Sequence, residues 1–209
     1  MYFKICGIKE IETIKCCIKN NVKFFGLIFY NKSPRYISLK EALNLVNFSK
    51  NKNIKPVGVF VNEDLDIVEN ALKKLNLKYI QLHGNEDDFY ISKIKENYKI
   101  KIIKSISLSS NKDLFKIEEY KQVDFFLFDY KPKNNELPGG NAKSFDWKII
   151  HNFRINKPWF ISGGINKENI KKIKNFANPD GIDLSSGVEE SPGVKNIEMI
   201  NSFFKKYHE

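Results

Sequence analysis

Cysteine, arginine and long apolar runs are scarce in this 209-residue chain, and each scarcity removes a class of protein. The three cysteines, Cys6, Cys16 and Cys17, make no even framework and no CxxC pair, which argues against a disulfide scaffold and structural zinc. No two histidines or acidic residues stand at metal-ligand spacing, so neither a metal nor a cofactor is expected. No long uncharged apolar segment occurs, since the opening MYFKICGIKE runs straight into charged sequence. Neither a signal peptide nor a membrane span is expected, and a cytoplasmic location is. Linkers and low-complexity tracts are missing too, so residues 1–209 are expected to form one domain with its own core.

Positive charge is in excess, at net +10 with a pI near 9.3. The lysines are nevertheless scattered through every segment, without the basic and aromatic interleaving of an RNA platform. No nucleic-acid partner is expected; the charge suits an anionic substrate.

What is present is organised around Trp159 to Gly193. Two apolar runs, Trp159-Phe160-Ile161 and Gly181-Ile182-Asp183-Leu184, stop abruptly in Ser162-Gly163-Gly164 and Ser185-Ser186-Gly187. Between them Ile170, Ile173 and Phe176 have helical spacing, which predicts a helix over Asn166 to Ala177 with Lys167, Lys171, Lys172 and Lys174 on its other face. Parallel strands joined by a crossover helix open their following loops on the same sheet edge. Small side chains, bare amides and a nearby helix start are what a phosphate monoester needs. Either glycine pair alone reads equally as an ordinary turn; their pairing across one βαβ unit points to a phosphate cup.

The rest of the chain repeats the unit. Apolar runs at Tyr2–Cys6, Phe24–Tyr30, Val57–Val61, Tyr79–Leu82, Ile100–Ile106 and Val123–Phe128 alternate with helical spacing. Helices are expected at Glu10–Lys19, from a Ser38/Glu41 capping box onward, across Leu65 to Leu75, at Phe89 to Ile94, at Asn111–Tyr120, at Phe145–Phe153 and at Ile197–Tyr207. Eight nearly continuous apolar strands, buried on both faces, predict a compact α/β (β/α)8 barrel. An open doubly wound sheet is the alternative, but it would carry a glycine fingerprint after the first strand, where Gly7 stands alone.

In such a barrel, chemistry sits on whatever follows each strand: Cys6, Arg35, Asn62, His83, Ser105, Asp129, Gly163-Gly164 and Ser185-Ser186. Arg35 is one of only two arginines among 35 basic residues, which suggests a fork for a ligand carboxylate on an exposed loop; the alternative is a surface arginine capping the next helix. Cys6 could act as base or nucleophile, or be a small buried hydrophobe, as Cys16 and Cys17 are read. Asp129 ends an apolar strand, where it suits general acid work or a turn cap. His83 is either an orienting group or a structural imidazole.

The motifs Lys4-Ile-Cys-Gly-Ile8, Lys32-Ser-Pro-Arg-Tyr36, Val57-Gly-Val-Phe-Val-Asn62, Gln81-Leu-His-Gly84, Gly139-Gly140 through Lys143-Ser-Phe-Asp-Trp147, Ser162-Gly-Gly-Ile165, and Asp183-Leu-Ser-Ser-Gly-Val-Glu189 with Ser191-Pro-Gly193 occur in that order from Lys4 to about Lys195. Together they resemble the phosphoribosylanthranilate isomerase family of tryptophan biosynthesis. The resemblance implies an Amadori rearrangement of N-(5-phosphoribosyl)anthranilate without a cofactor, in a monomer or homodimer. Asp129 would protonate the furanose oxygen and Cys6 would take the C2 proton. Arg35 would hold the anthranilate carboxylate with His83 nearby, and Gly163, Gly164, Ser185, Ser186 and Gly187 would hold the phosphate. The chain departs from the family pattern at Lys9, where Thr is frequent, and at Asn141-Ala142, where Thr-Gly is more usual. Two other phosphate-binding barrels, indole-glycerol-phosphate synthase and ribulose-phosphate epimerase, would need a catalytic lysine with glutamates or a metal-binding His/Asp set, and neither is visible. A third reading, a catalytically idle barrel that binds a phosphorylated ligand or a partner protein, is opposed by the joint presence of Cys6 and Asp129.

Overall fold

In the computed structural model the chain is described at residues 1–133, 136, 139–140, 143–151, 153–173 and 175–209. Expectations placed on Pro138, Asn141, Ala142 and Lys174 lie outside the described residues. Eight strands close into one barrel in chain order: β1 (Tyr2–Cys6), β2 (Phe24–Ile28), β3 (Lys55–Phe60), β4 (Tyr79–Leu82), β5 (Lys101–Leu108), β6 (Phe125–Tyr130), β7 (Trp159–Ile161) and β8 (Gly181–Leu184). Every neighbouring pair in the barrel is parallel, and β1 pairs with β8 through Lys4↔Asp183 and Ile5↔Leu184 to complete the circle. The (β/α)8 expectation holds.

The outer layer is uneven. Helices α1 (Ile11–Lys19), α2 (Leu39–Ser49), α3 (Leu65–Leu75), α4 (Asp88–Asn97) and α6 (Ile197–His208) form near where the apolar spacing predicts them. Ser38 caps α2, accepting from Glu41 N while Glu41 accepts from Ser38 N. Three expected helices come out differently. Asn111–Glu119 is a 3-10 helix, which suits buried Leu114 and Ile117 three residues apart, with Asp113 accepting from the Ser109 and Ser110 amides. Among the described residues of 145–153 there is a 3-10 turn, Trp147–Ile150, and among those of 166–177 the helix α5 (Ile170–Ile173). Asn166 caps this turn: its Oδ1 accepts from the Glu168 and Asn169 amides and its carbonyl from the Ile170 amide, while Asn169 Oδ1 accepts from the Asn166 amide. After β8, a short hairpin of β9 (Glu189–Ser191) and β10 (Val194–Lys195) precedes α6.

Alternation along the strands sorts the interior. Outward residues such as Phe3 and Ile5 join the large core beneath the helices, where Phe3 meets Phe203, Phe204 and Tyr207 edge to face. Inward residues form a second, smaller core at the base of the barrel: Phe24, Val57, Ile103, Leu127 and Phe160. Phe160 fills the space beside Gly181, where a Cβ would come within 2.3 Å of its ring. Cys16 and Cys17 are buried, as read. No helix among the described residues is long and apolar enough to cross a membrane.

Because Phe160 plugs the barrel base on the opposite side from the strand ends that carry the chemistry, Phe160→Ala is expected to cost about 3–5 kcal/mol of stability. Urea unfolding at 25 °C checks it; turnover per folded molecule should stay within about twofold of the parent.

Candidate active site

Further along the inward rows of β4, β6, β7 and β8, the side chains stop being apolar, while Ile28, Val59 and Val61 of the rows from β2 and β3 stay so. Tyr79 gives way to Gln81 and His83, Leu127 to Asp129, Phe160 to Ser162, and Gly181 to Asp183 and Ser185. These line one cavity at the strand ends, together with Cys6, Arg35, Gly139, Gly140, Gly163, Gly164 and Ser186. Cys6 and Asp129 therefore face a common space. Gly187 lies just beyond, in an adjoining recess shared with Gly164, Asn166 and Ser186.

Asp129 is fixed from both sides. Its Oδ1 accepts from the Tyr130 amide at 2.8 Å and its Oδ2 lies 3.3 Å from His83 Nε2. His83 Nδ1 is 2.7 Å from Gln81 Nε2, so with this amide assignment the ring presents its Nε2–H to Asp129. The strand end carrying His83 is itself clamped. Buried Glu86 accepts from the Asn62 and Gly84 amides, and buried Lys104 donates to Glu86 at 3.0 Å and to the Gly84 carbonyl at 2.7 Å. Asn62 serves in this clamp, accepting from the Asn85 amide at 2.6 Å, and Ser105 Oγ lies 3.4 Å from His83 Nε2. Among the described residues no group of three or more potential metal ligands occurs.

The loops after β7 and β8 meet at the mouth of this cavity. The Asn166 and Asn169 side-chain amides both donate to the Gly164 carbonyl, at 3.3 and 2.9 Å, which occupies an oxygen that would repel an anion. Gly163 and Gly164 have φ of +86° and +62°, the left-handed region open to glycine. The two loops touch directly: a Cβ at Gly187 would lie 1.9 Å from the Ile165 carbonyl oxygen, so only glycine allows that approach. The amides of Gly163, Gly164, Ser186 and Gly187 donate to no described residue.

Arg35 corrects its expectation. It is 4% exposed, not on an open loop, and its fork is engaged by Glu189: Nε to Oε1 at 2.8 Å and Nη2 to Oε2 at 2.7 Å. Nη2 also donates to the Gly140 carbonyl, which leaves Nη1 without an acceptor among the described residues. Glu189 holds a second buried cation, Lys195, which also donates to the Ser185 carbonyl at 3.2 Å. Burial alone would raise Glu189, but Arg35 and Lys195 outweigh it and hold the carboxyl below its usual range. Two cations on one anion leave a net positive wall beside the cup.

Below Cys6 lies a group the sequence reading passed over. Lys4 and Asp183 form a buried ion pair at 2.8 Å, with Lys4 fully shielded. Burial pushes the Cys6 thiol up; the Lys4 ammonium opposes this and the Asp183 carboxylate reinforces it. Lys4, Gln81, Asp183, Glu189 and Lys195 were all missed as site residues. For Lys4, Gln81 and Asp183 a signal existed: a polar side chain at an inward position of an apolar strand.

Residues 3–206 match the family described as N-(5'phosphoribosyl)anthranilate (PRA) isomerase. A Rhizobium etli N-(5'-phosphoribosyl)anthranilate isomerase is 40% identical over 203 residues, 96% of this chain and 91% of that protein. The crystal structure of the Thermotoga maritima phosphoribosyl anthranilate isomerase superimposes with a TM-score of 0.88 at 32% identity, covering 100% of this chain and 98% of that one. A structure of such an isomerase in complex with reduced 1-(o-carboxyphenylamino)-1-deoxyribulose 5-phosphate gives 0.83 at 31% identity, with 100% and 98% coverage.

Because the folded Glu189 carboxyl is depressed, its contribution is present above its unfolded value, about 4.3, and is lost as pH falls through the folded value. Glu189→Gln leaves two buried cations without their anion and is expected to cost about 3–5 kcal/mol at pH 7. Urea unfolding of parent and variant from pH 7 to pH 3 should show that gap closing on acidification.

Proposed function

Since the chain belongs to the N-(5'-phosphoribosyl)anthranilate isomerase family and catalyses the Amadori rearrangement of N-(5-phosphoribosyl)anthranilate to 1-(2-carboxyphenylamino)-1-deoxyribulose 5-phosphate in tryptophan biosynthesis, we propose that Asp129 is its general acid and Cys6 its general base. The observation that carries these roles is the shared cavity: the two proton-transfer groups stand in one space walled by unoccupied amides and a cationic cluster.

The chemistry sets what each group must do. The glycosylamine nitrogen expels the ring oxygen once that oxygen is protonated, which opens the furanose to a Schiff base. Asp129 donates this proton, and His83 Nε2 together with the Tyr130 amide fixes the direction of its carboxyl. The iminium acidifies the C2–H bond. Cys6 takes that proton, the enolamine forms, and tautomerisation gives the ketone. The amides of Gly163, Gly164, Ser186 and Gly187, with Ser185 beside them, hold the phosphate without a metal. Arg35 meets the anthranilate carboxylate through Nη1, its other donors being held by Glu189 and the Gly140 carbonyl, and His83 completes the wall around the substrate. Residues 1–209 act as one domain, as a monomer or homodimer, in the cytoplasm, on this phosphorylated small molecule and without nucleic acid.

Cys6→Ser and Asp129→Asn are each expected to lower kcat by about 10²- to 10⁴-fold with the fold intact. The fluorescence change of freshly prepared phosphoribosylanthranilate checks this, and parent-like turnover in both variants would remove the assigned roles. Arg35→Lys cannot supply a planar fork and an outward N–H together, so it is expected to raise KM for the substrate about tenfold or more. An unchanged KM in the same assay would strike Arg35 from the carboxylate site.

A further inference from the structure

A base needs a sulfur without its proton, and burial keeps that proton on Cys6. Something in the cavity floor has to favour the thiolate. Lys4 and Cys6 are two residues apart on β1 and so point to the same interior. The β1–β8 register sets Lys4 opposite Asp183, and the ammonium and carboxylate meet at 2.8 Å through Oδ2. The other oxygen, Oδ1, is buried and has no hydrogen-bond partner, an expensive state for a carboxylate in an interior. Asp183 lines the same cavity as Cys6.

We propose that Lys4 is a positioning residue: its ammonium, paired with Asp183 on the floor of the cavity, favours the thiolate of Cys6, while the Asp183 carboxylate opposes it. This rests on the reading of Cys6 as the base. Burial pushes the Asp183 carboxyl up, while attraction to Asp183 holds the Lys4 ammonium above its ordinary value against burial. The other charged groups acting on this pair come from different elements. Lys195 from β10, already held by Glu189, acts on Cys6; Asp129 from β6 and His83 after β4 act on Asp183 with opposite signs.

The test reads Cys6 without substrate, as the pH dependence of its alkylation by iodoacetamide. Peptide mass spectrometry separates it from Cys16 and Cys17. Lys4→Met should raise the midpoint by about one unit or more, and Asp183→Asn, which removes the competing anion, should lower it by a similar amount. Opposite shifts mark one cation shared by two acids. A purely structural role would open the site to water and lower both midpoints, and that result, or no shift in either, overturns the inference. If Lys4→Met does not fold, the charge-free double variant Lys4→Met/Asp183→Asn replaces it, and its midpoint must lie above that of Asp183→Asn. Parent enzyme that keeps its turnover after complete Cys6 alkylation would instead overturn the assignment of Cys6 as base, whatever the midpoints.

Discussion

The ion pair between Lys4 and Asp183 stands at the seam where the last strand meets the first, and the active mouth is built above it. Desolvating two charges costs several kcal/mol per ion, and a contact at 2.8 Å only partly offsets that. An apolar pair of similar volume would close the seam at least as well. The charges are better understood by what sits above them: a buried thiol whose ionisation depends on the ammonium below, and a carboxylate with one oxygen left unpaired in the same cavity.

The same economy of shared charge recurs at the rim. Glu189 gathers Arg35 and Lys195, and Glu86 gathers Lys104 with two backbone amides from the loops after β3 and β4. The first arrangement leaves a positive excess beside the amide cup. The second immobilises the strand end that carries His83, which in turn aims Asp129. Asp129 is thus aimed by a neighbour whose strand end a buried ion pair clamps, and Cys6 shares its strand face with the Lys4 of another.

Much of this was legible from residue order. The abrupt change from apolar strand to Ser162-Gly163-Gly164 and Ser185-Ser186-Gly187 marked the cup, and isolated Cys6 and Asp129 at strand ends marked the acid and base candidates. Arg35 was noticed for its rarity but misplaced: composition carries no information about burial, and the partner that holds its fork lies 154 residues away. The helices after β5 and β6 were over-read because i,i+3 apolar spacing is common to α and 3-10 turns.

By itself the sequence determined the eightfold alternation, the capping of α2, the family, and which residues follow each strand, since these rest on local periodicity and motif order. Which side chains neutralise one another was decided only by closure of the barrel. Register between strands far apart in the chain brings Lys4 to Asp183 and the β8 exit back over Arg35, and electrostatic pairing depends on distances of a few ångströms that no spacing along the chain encodes.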